Sequence, residues 1–238
     1  MYHSERQMQL LALLQKEKSL SVHRLAKLLS ISESSVRRDL ASLEELGKIK
    51  RTYGGAVLFE APEREVSLMY RSSQNIREKA EIASKASKYI KDGMLIFLDA
   101  SSSAAQLIPY LEGFKDLTVV TNSPTTSMRL GELNIRNYCT GGLLLRHSLA
   151  YVGNGATDFI GRFTADVVFF SCRGLSDNGI LSDSMEEEVH IRRVMLQNAK
   201  KKVFLCDRSK YGQEYPYRLC KIEELDEVVT EVSSSTSR

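Results

Sequence analysis

Two groups of residues in this 238-residue chain have types and spacings that could do chemistry. The first is Ser34, Ser35, Arg37 and Arg38, with Ser32 just before them. Hydroxyls and guanidinium forks grouped this closely can hydrogen-bond base edges and phosphate oxygens. The second group follows apolar runs: Asp99, Ser101, Ser102 and Ser103, then Thr121, Asn122 and Ser123, then Thr140-Gly141-Gly142, then Asp207 to Lys210. Hydroxyls beside the free N–H groups of a helix start can hold a phosphate, and the Gly141-Gly142 turn lets backbone approach a ligand closely. Lys210 can place a charge on phosphate, and Asp207 can accept from sugar hydroxyls.

The first group needs a helix to present it. Val36, Leu40 and Leu43 repeat at helical spacing, which turns Ser34, Arg37 and Arg38 away from the apolar stripe. The helix is predicted at about residues 33 to 46, capped by Ser32 and ended by Gly47. Upstream, Ser4 and Gln7 have capping-box spacing ahead of Met8, Leu11 and Leu14, and Ser21 precedes a helix carrying Val22, Leu25, Leu28 and Leu29. The short connection from Leu29 to Ser32 fits a helix-turn-helix. Lys48 to Tyr53, the Gly54-Gly55 turn and Ala56 to Leu58 predict a two-stranded wing, whose Lys50, Arg51 and Tyr53 would hold the DNA backbone. The bland alternative is a surface helix with solvated arginines. Charge distribution opposes it: residues 1 to 58 carry 10 Lys and Arg against 6 Asp and Glu, leaving 23 against 24 in the rest. The net +3 of the chain therefore lies in its first quarter, as affinity for phosphate requires.

Length allows one further domain of ordinary size, and 42% hydrophobic residues supply a core. No run of about 18 apolar residues occurs and the first residues lack a secretory apolar segment, so a soluble cytoplasmic protein without membrane association is expected. Cys139, Cys172, Cys206 and Cys220 have no paired ligand spacing and are read as reduced residues in or near the core. No metal and no cofactor are expected.

The second group needs strands. Residues 59 to 75, with Pro62 and mixed charges, read as a connector, and Ile76, Ala80, Ala83, Ala86 and Ile90 predict a helix. Met94–Leu98, Leu117–Val120, Val167–Phe170, Val203–Cys206 and Val228–Val229 read as buried strands, with helices near 103 to 112, 124 to 133, 155 to 164 and 185 to 200. This alternation predicts an α/β domain with a doubly wound, mostly parallel sheet over residues 76 to 232, and a disordered tail at 233 to 238. Ligands of such sheets collect at the carboxyl ends of strands, where the second group lies.

The stretch Ser32 to Ala56 resembles the winged helix-turn-helix signature of the DeoR family of bacterial transcriptional regulators, with Ser35 where that family usually has threonine. The rest of the chain is similar to the sensor domain of the same family, itself like ribose-5-phosphate isomerase. The marks are Asp99 with Ser101 to Ser103, Thr121 to Ser123, Gly141-Gly142, Gly153, Glu188 to Arg193 and Asp207 to Gly212. Ser101 stands where glycine is common, and Arg208 where serine is usual. The resemblance implies a repressor of a carbohydrate operon that binds double-stranded operator DNA and a phosphorylated sugar, with Arg146 and Glu188 among the effector contacts. Paired half-sites imply a homo-oligomer, a dimer or tetramer. The competing class is a sugar-phosphate isomerase with a DNA-binding extension. It needs a positioned base. Residues 139 to 157 contain no carboxylate, and Glu186, Glu187 and Glu188 at a helix start are explained by the helix dipole.

Overall fold

The computed structural model describes residues 3–17, 19–45, 49–58 and 67–231. The chain divides into two compact units, Met1–Tyr70 and Arg71–Arg238. Gly47, most of the connector around Pro62 and the tail at 233 to 238 lie outside the described residues.

In the first unit, helices α1 (His3–Glu17), α2 (Val22–Leu29) and α3 (Glu33–Glu45) share one core with strands β1 (Ser19–Ser21), β2 (Ile49–Thr52) and β3 (Gly55–Leu58). Leu10, Leu14, Leu25, Val36, Leu40, Leu43 and Ile49 are buried there. Helix α2 starts where the Ser21 hydroxyl accepts from the Arg24 N–H, and it ends at Ser30, whose left-handed φ of 53° swings the chain toward α3. Two expectations need correcting. Ser4 already lies inside α1, so it is not a cap, and Leu28 is half exposed because the buried stripe of α2 runs through Val22, Leu25 and Ala26. The wing has three strands, in the order β1-β3-β2, all antiparallel. β1 was too short to show a period. It approaches so closely that a Cβ on Gly55 would meet the Leu20 carbonyl oxygen at 2.2 Å, which explains why glycine stands there.

Helix α4 (Leu68–Ser73) runs across the division after Tyr70, within the stretch expected to be a connector. In the second unit follow α5 (Ile76–Ala86), β4 (Leu95–Leu98), α6 (Ile108–Leu111), β5 (Thr118–Thr121), α7 (Pro124–Glu132), β6 (Arg136–Cys139), β7 (Leu143–Leu145), β8 (Ala150–Val152), α8 (Asn154–Ile160), β9 (Val167–Phe170), β10 (Gly174–Leu175), β11 (Ile180–Asp183), α9 (Glu186–Gln197), β12 (Lys202–Leu205), β13 (Tyr217–Lys221) and β14 (Glu227–Val229). Six of these strands form one parallel sheet in the order β14-β12-β9-β4-β5-β6. Alternate strand residues feed opposite layers. Ile96, Leu98, Val119, Val167, Phe169, Val203 and Leu205 pack with α5, α6 and α7. Phe97, Val120, Val168, Phe170 and Phe204 pack with α8 and α9. Burial on both faces is why these strands read as unbroken apolar runs.

The helical stripe predicted over 76 to 90 is rotated: Ile76 is 53% exposed, and the buried face is Lys79, Ile82, Ala83 and Ala86. The segment predicted as a helix over 103 to 112 is a 3-10 turn at Ala104–Leu107 followed by the single turn of α6. A second, antiparallel sheet, β10-β11-β13, and the β7-β8 hairpin were not anticipated. Among the described residues, no helix is long and apolar enough to cross a membrane. All four cysteines are free, with Cys172 and Cys206 buried and Cys139 and Cys220 half-buried.

Candidate functional site

At the start of α3 the hydroxyls gather. Ser32 Oγ accepts from the Ser35 N–H at 3.3 Å and lies 3.0 Å from both Ser34 Oγ and Ser35 Oγ. Arg37 donates to Glu33 Oε2 at 3.1 Å across one turn, so its fork is held at the helix tip. His23 Nδ1 lies 3.2 Å from the other Glu33 oxygen, and hydrogen bonds from His23 and Arg37 hold this carboxyl below the usual carboxylate range. Arg38 is exposed and makes no ion pair among the described residues. On the hidden side, Asp39 is fully buried and receives Arg6 Nε at 2.5 Å and a second guanidinium nitrogen at 3.0 Å, which locks α3 to α1.

The wing candidates divide. Tyr53 is fully exposed at the turn. Arg51 instead gives its backbone N–H to Glu44 Oε1 at 2.8 Å and its Nε to Glu44 Oε2 at 2.6 Å, so in this arrangement it fastens the wing to α3. Lys50 supplies backbone to β2, and its side chain lies outside the described residues.

The second unit holds its polar residues at one place. The chain leaves β4 toward β5 and β6 and later returns to β9 on the other side of β4, so strand order reverses between β4 and β9. In open parallel sheets, ligands bind at the carboxyl ends of the strands at such a reversal. Asp99, next after β4, and Ser171, next after β9, meet across it: Asp99 Oδ2 accepts from the Ser171 N–H at 3.3 Å and from Arg192 Nε at 2.8 Å. Asp99 Oδ1 accepts from the Ser101 N–H at 3.0 Å, and Ser101 Oγ accepts from the Ala104 N–H at 3.1 Å. Ser101 therefore fits without the left-handed backbone that glycine would permit; its φ is not positive. Ser102 and Ser103 are buried beside it.

Arg192 joins three carboxylates. Besides Asp99 it donates to Asp183 Oδ2 at 2.8 Å and to Glu188 Oε2 at 3.3 Å. Burial works against its charge, but Asp183, Asp99 and Glu188 outweigh it and hold the guanidinium above its ordinary pKa. Arg173 flanks Asp183 at 3.5 Å. Burial likewise pushes Glu188 up, yet His147, Arg192 and Arg71 hold it below the usual range. The helix-dipole explanation suits Glu186 and Glu187, which are exposed; Glu188 is buried and paired, so for it that explanation fails.

Lys210, which follows β12, joins the same buried network. Its Nζ donates to Ser171 Oγ at 2.5 Å, Ser103 Oγ at 3.2 Å and the Leu205 carbonyl at 3.1 Å, and pairs with Asp207 Oδ2 at 3.1 Å. Asp207 caps the next turn by accepting from the Ser209 N–H at 3.2 Å, and its Oδ1 also accepts from Asn75 Nδ2 at 3.2 Å. Lys79 is buried close by and donates to the carbonyls of Arg71 at 2.5 Å and Gln74 at 2.8 Å. Burial, then the nearby Lys210, brings its pKa down to about 8.

Asp99, Ser101, Ser103, Glu188, Asp207 and Lys210 are thus tied into one network. Thr121 and Ser123 cap the start of α7, where Ser123 Oγ accepts from the Thr126 N–H at 3.2 Å, and Asn122 holds the β8 backbone by donating to the Tyr151 carbonyl at 3.1 Å. Gly142 serves its own hairpin: a Cβ there would meet the Val152 carbonyl oxygen at 2.6 Å, and its φ is 110°. The closeness expected toward a ligand is thus toward β8. Gly141 and Gly153 also have positive φ, in loops of the same region. Arg146 is exposed and makes no hydrogen bond or ion pair among the described residues. Sequence reasoning passed over Arg71, Lys79, His147, Ser148, Arg173 and Asp183. Lys79 left a signal, since it shares the helical stripe of Ile82, Ala83 and Ala86; the others lie in loops or short elements where no period shows.

Comparison with known proteins agrees with both halves. Residues 6–61 match the DeoR-like helix-turn-helix domain and residues 74–232 the DeoR C-terminal sensor domain. The HTH-type transcriptional regulator GolR of Listeria innocua is 34% identical over 97% of this chain and 91% of its own length. The HTH-type transcriptional repressor GlcR of Bacillus subtilis is 31% identical over 97% and 89%. Ribose 5-phosphate isomerase A of Methanocaldococcus jannaschii aligns with a TM-score of 0.44 at 20% identity, over 58% of this chain and 55% of the isomerase, too slight a likeness to bear on its chemistry. With both domain models matched in order along nearly its whole length, the chain belongs to the DeoR family of transcriptional regulators.

Proposed function

We propose that this regulator is a repressor of a carbohydrate operon, released or engaged by a phosphorylated sugar held in the crevice of its second unit. The observation that carries the ligand class is the pairing, at a single strand-order reversal, of Lys210 with the hydroxyls of Ser103 and Ser171 on one side and a carboxylate-rich wall, Asp99, Asp183 and Glu188, on the other. Cation and hydroxyls suit phosphate; carboxylates suit the hydroxyls of a sugar.

A catalytic role fits poorly. Asp99 and Asp183 are ion-paired with Arg192, and Asp207 with Lys210. His147, Arg192 and Arg71 favour the charged form of Glu188 and hold it below the usual carboxylate range, the wrong direction for a general base working near neutral pH. On the DNA side, Ser34, Ser35, Arg37 and Arg38 read the major groove, while Lys50 and Tyr53 hold the duplex backbone, joined by Arg51 if Glu44 releases it. The active form is a cytoplasmic oligomer of two or four copies that sets paired recognition helices on operator half-sites. Ligand control runs through residues 71 to 79, where Lys79 and Asn75 fasten the end of α4 and the start of α5 to the crevice.

Fluorescence anisotropy of the full chain on a DNA site selected from a random pool, with and without sugar phosphates, tests the proposal. A sugar phosphate that shifts the affinity at least fivefold supports it. Isomerase turnover without any shift in DNA affinity would favour the enzyme.

A further inference from the structure

The crevice contains more polar groups than its own network satisfies. Among the described residues, buried side-chain atoms without a hydrogen-bond partner include Arg71 Nε, His147 Nε2, Ser148 Oγ and Glu188 Oε1. Ser148 is 1% exposed and Glu188 4%. These atoms are not scattered. His147 Nε2 lies 3.4 Å from Glu188 Oε1 without hydrogen-bond alignment, the Ser148 hydroxyl is near enough to the same carboxylate to favour its charge, and the Arg71 guanidinium favours it through charge alone. Burying polar groups unpaired is costly, and proteins retain such groups where a ligand or water completes them.

Resting on the sugar-phosphate reading above, the geometry points to a second subsite at Arg71, His147, Ser148 and Glu188, which takes the hydroxyl-bearing end of the ligand opposite the phosphate. The chemistry of the four groups decides what fits. Glu188 Oε1 only accepts, so its partner must donate; a phosphate dianion cannot, and would be repelled. Arg71 Nε only donates, so its partner must accept. A hydroxyl oxygen does both at once, with Ser148 and His147 free to act in either sense. Arg192 bridges Glu188 to Asp99, so this subsite and the Lys210 end share one crevice. Because the wall rejects alkyl chains and bare phosphate, it selects by the hydroxyl pattern of the ligand.

The test is calorimetric titration of the full chain with inorganic phosphate, butyl phosphate, glycerol 3-phosphate, ribose 5-phosphate and fructose 6-phosphate, on wild type, Ser148→Ala and His147→Phe. At least one hydroxylated phosphate should bind about tenfold or more tighter than butyl phosphate, and each substitution should remove most of that margin while leaving inorganic phosphate within about twofold. Ser148→Ala removes a buried hydroxyl that makes no well-aligned hydrogen bond, so the melting point of the unliganded protein should stay within about 2 °C of wild type. A merely structural serine would lower the melting point. A margin that survives both substitutions, or no margin in the wild type, overturns the subsite while leaving the phosphate site standing. Binding of none of the five compounds overturns the sugar-phosphate reading and the subsite together.

Discussion

Asn75 donates Nδ2 to Asp207 Oδ1 at 3.2 Å, although Asn75 is the residue before α5 and its side chain does not cap that helix. Asparagine at this position commonly satisfies the helix's own free N–H groups. Here the amide is used to join the start of α5 to the acid that also holds Lys210. If a phosphate binds at Ser103 as proposed, it competes with Asp207 for that ammonium, which would couple ligand binding to the position of residues 71 to 75 through one carboxylate.

Asn75→Gly tests the coupling, because glycine accepts the left-handed φ of 51° without strain and lacks only the amide. Sugar-phosphate affinity should move less than about threefold, while the ligand-induced change in DNA affinity, normally about 5- to 150-fold in such systems, should fall below about twofold. Calorimetry and anisotropy on the same preparation read the two quantities. Full retention of the ligand response would show that Asn75 transmits nothing.

Arg38 is exposed with no ion pair among the described residues, whereas Arg37 is bound to Glu33. Arg38→Ala should weaken binding to the selected site by about 1 to 3 kcal/mol and broaden sequence preference. Binding selections repeated with the variant would show relaxed bases. An equal loss on every DNA sequence would contradict base reading.

Gly55→Ala forces a methyl against the Leu20 carbonyl, where the ideal Cβ position is only 2.2 Å away. The strands of the wing must separate to admit it. Denaturant unfolding should register a loss of about 1 to 3 kcal/mol in the DNA-binding unit, with ligand binding in the second unit unchanged. An unchanged midpoint for the first transition would mean that β1 does not pack on β3 as described.

Lys79 has a folded pKa of about 8 against an ordinary 10.5. Below pH 8 the ammonium is charged in both folded and unfolded chains, and its burial cost is fully felt. Between about 8 and 10.5 the folded state sheds the proton first, so stability from this group rises with pH by up to about 3 kcal/mol. Other titrating groups are shared by wild type and Lys79→Met, so the difference between their unfolding free energies isolates it. That difference should shift toward wild type from pH 7 to pH 10. A shift toward the variant would reverse the sign and refute the burial account.

The parts of the fold legible in the sequence were those with long, one-sided periods. Val36, Leu40 and Leu43 placed α3, and Val167 to Phe170 and Val203 to Cys206 read as strands because both faces of the parallel sheet are covered. Short elements escaped for the converse reason: β1 has three residues and β10 two, too few for alternation to register. Ile76 misled because an apolar residue at helical spacing need not face the core, and the true stripe includes a lysine. At the crevice, Asp99, Ser101 to Ser103 and Lys210 were visible as polar residues after strands. Arg71 and His147 were not, since only tertiary folding brings these residues, far apart in the chain, to the Glu188 carboxylate; Asp183 was missed because it ends β11 nine positions before Arg192, where strand gives way to helix and no single period links the two.

The central claim is that one molecule both reads a DNA sequence and lets a phosphorylated sugar alter that reading. Its most direct measure is the anisotropy-derived affinity of the full chain for its selected site and for a scrambled fragment of equal length, at about 150 mM salt, each with and without the sugar phosphate that calorimetry identifies. The account predicts affinity for the selected site at least about a thousandfold above the scrambled one, and a ligand response confined to the selected site. Equal, salt-sensitive binding to both fragments, indifferent to the ligand, would contradict it.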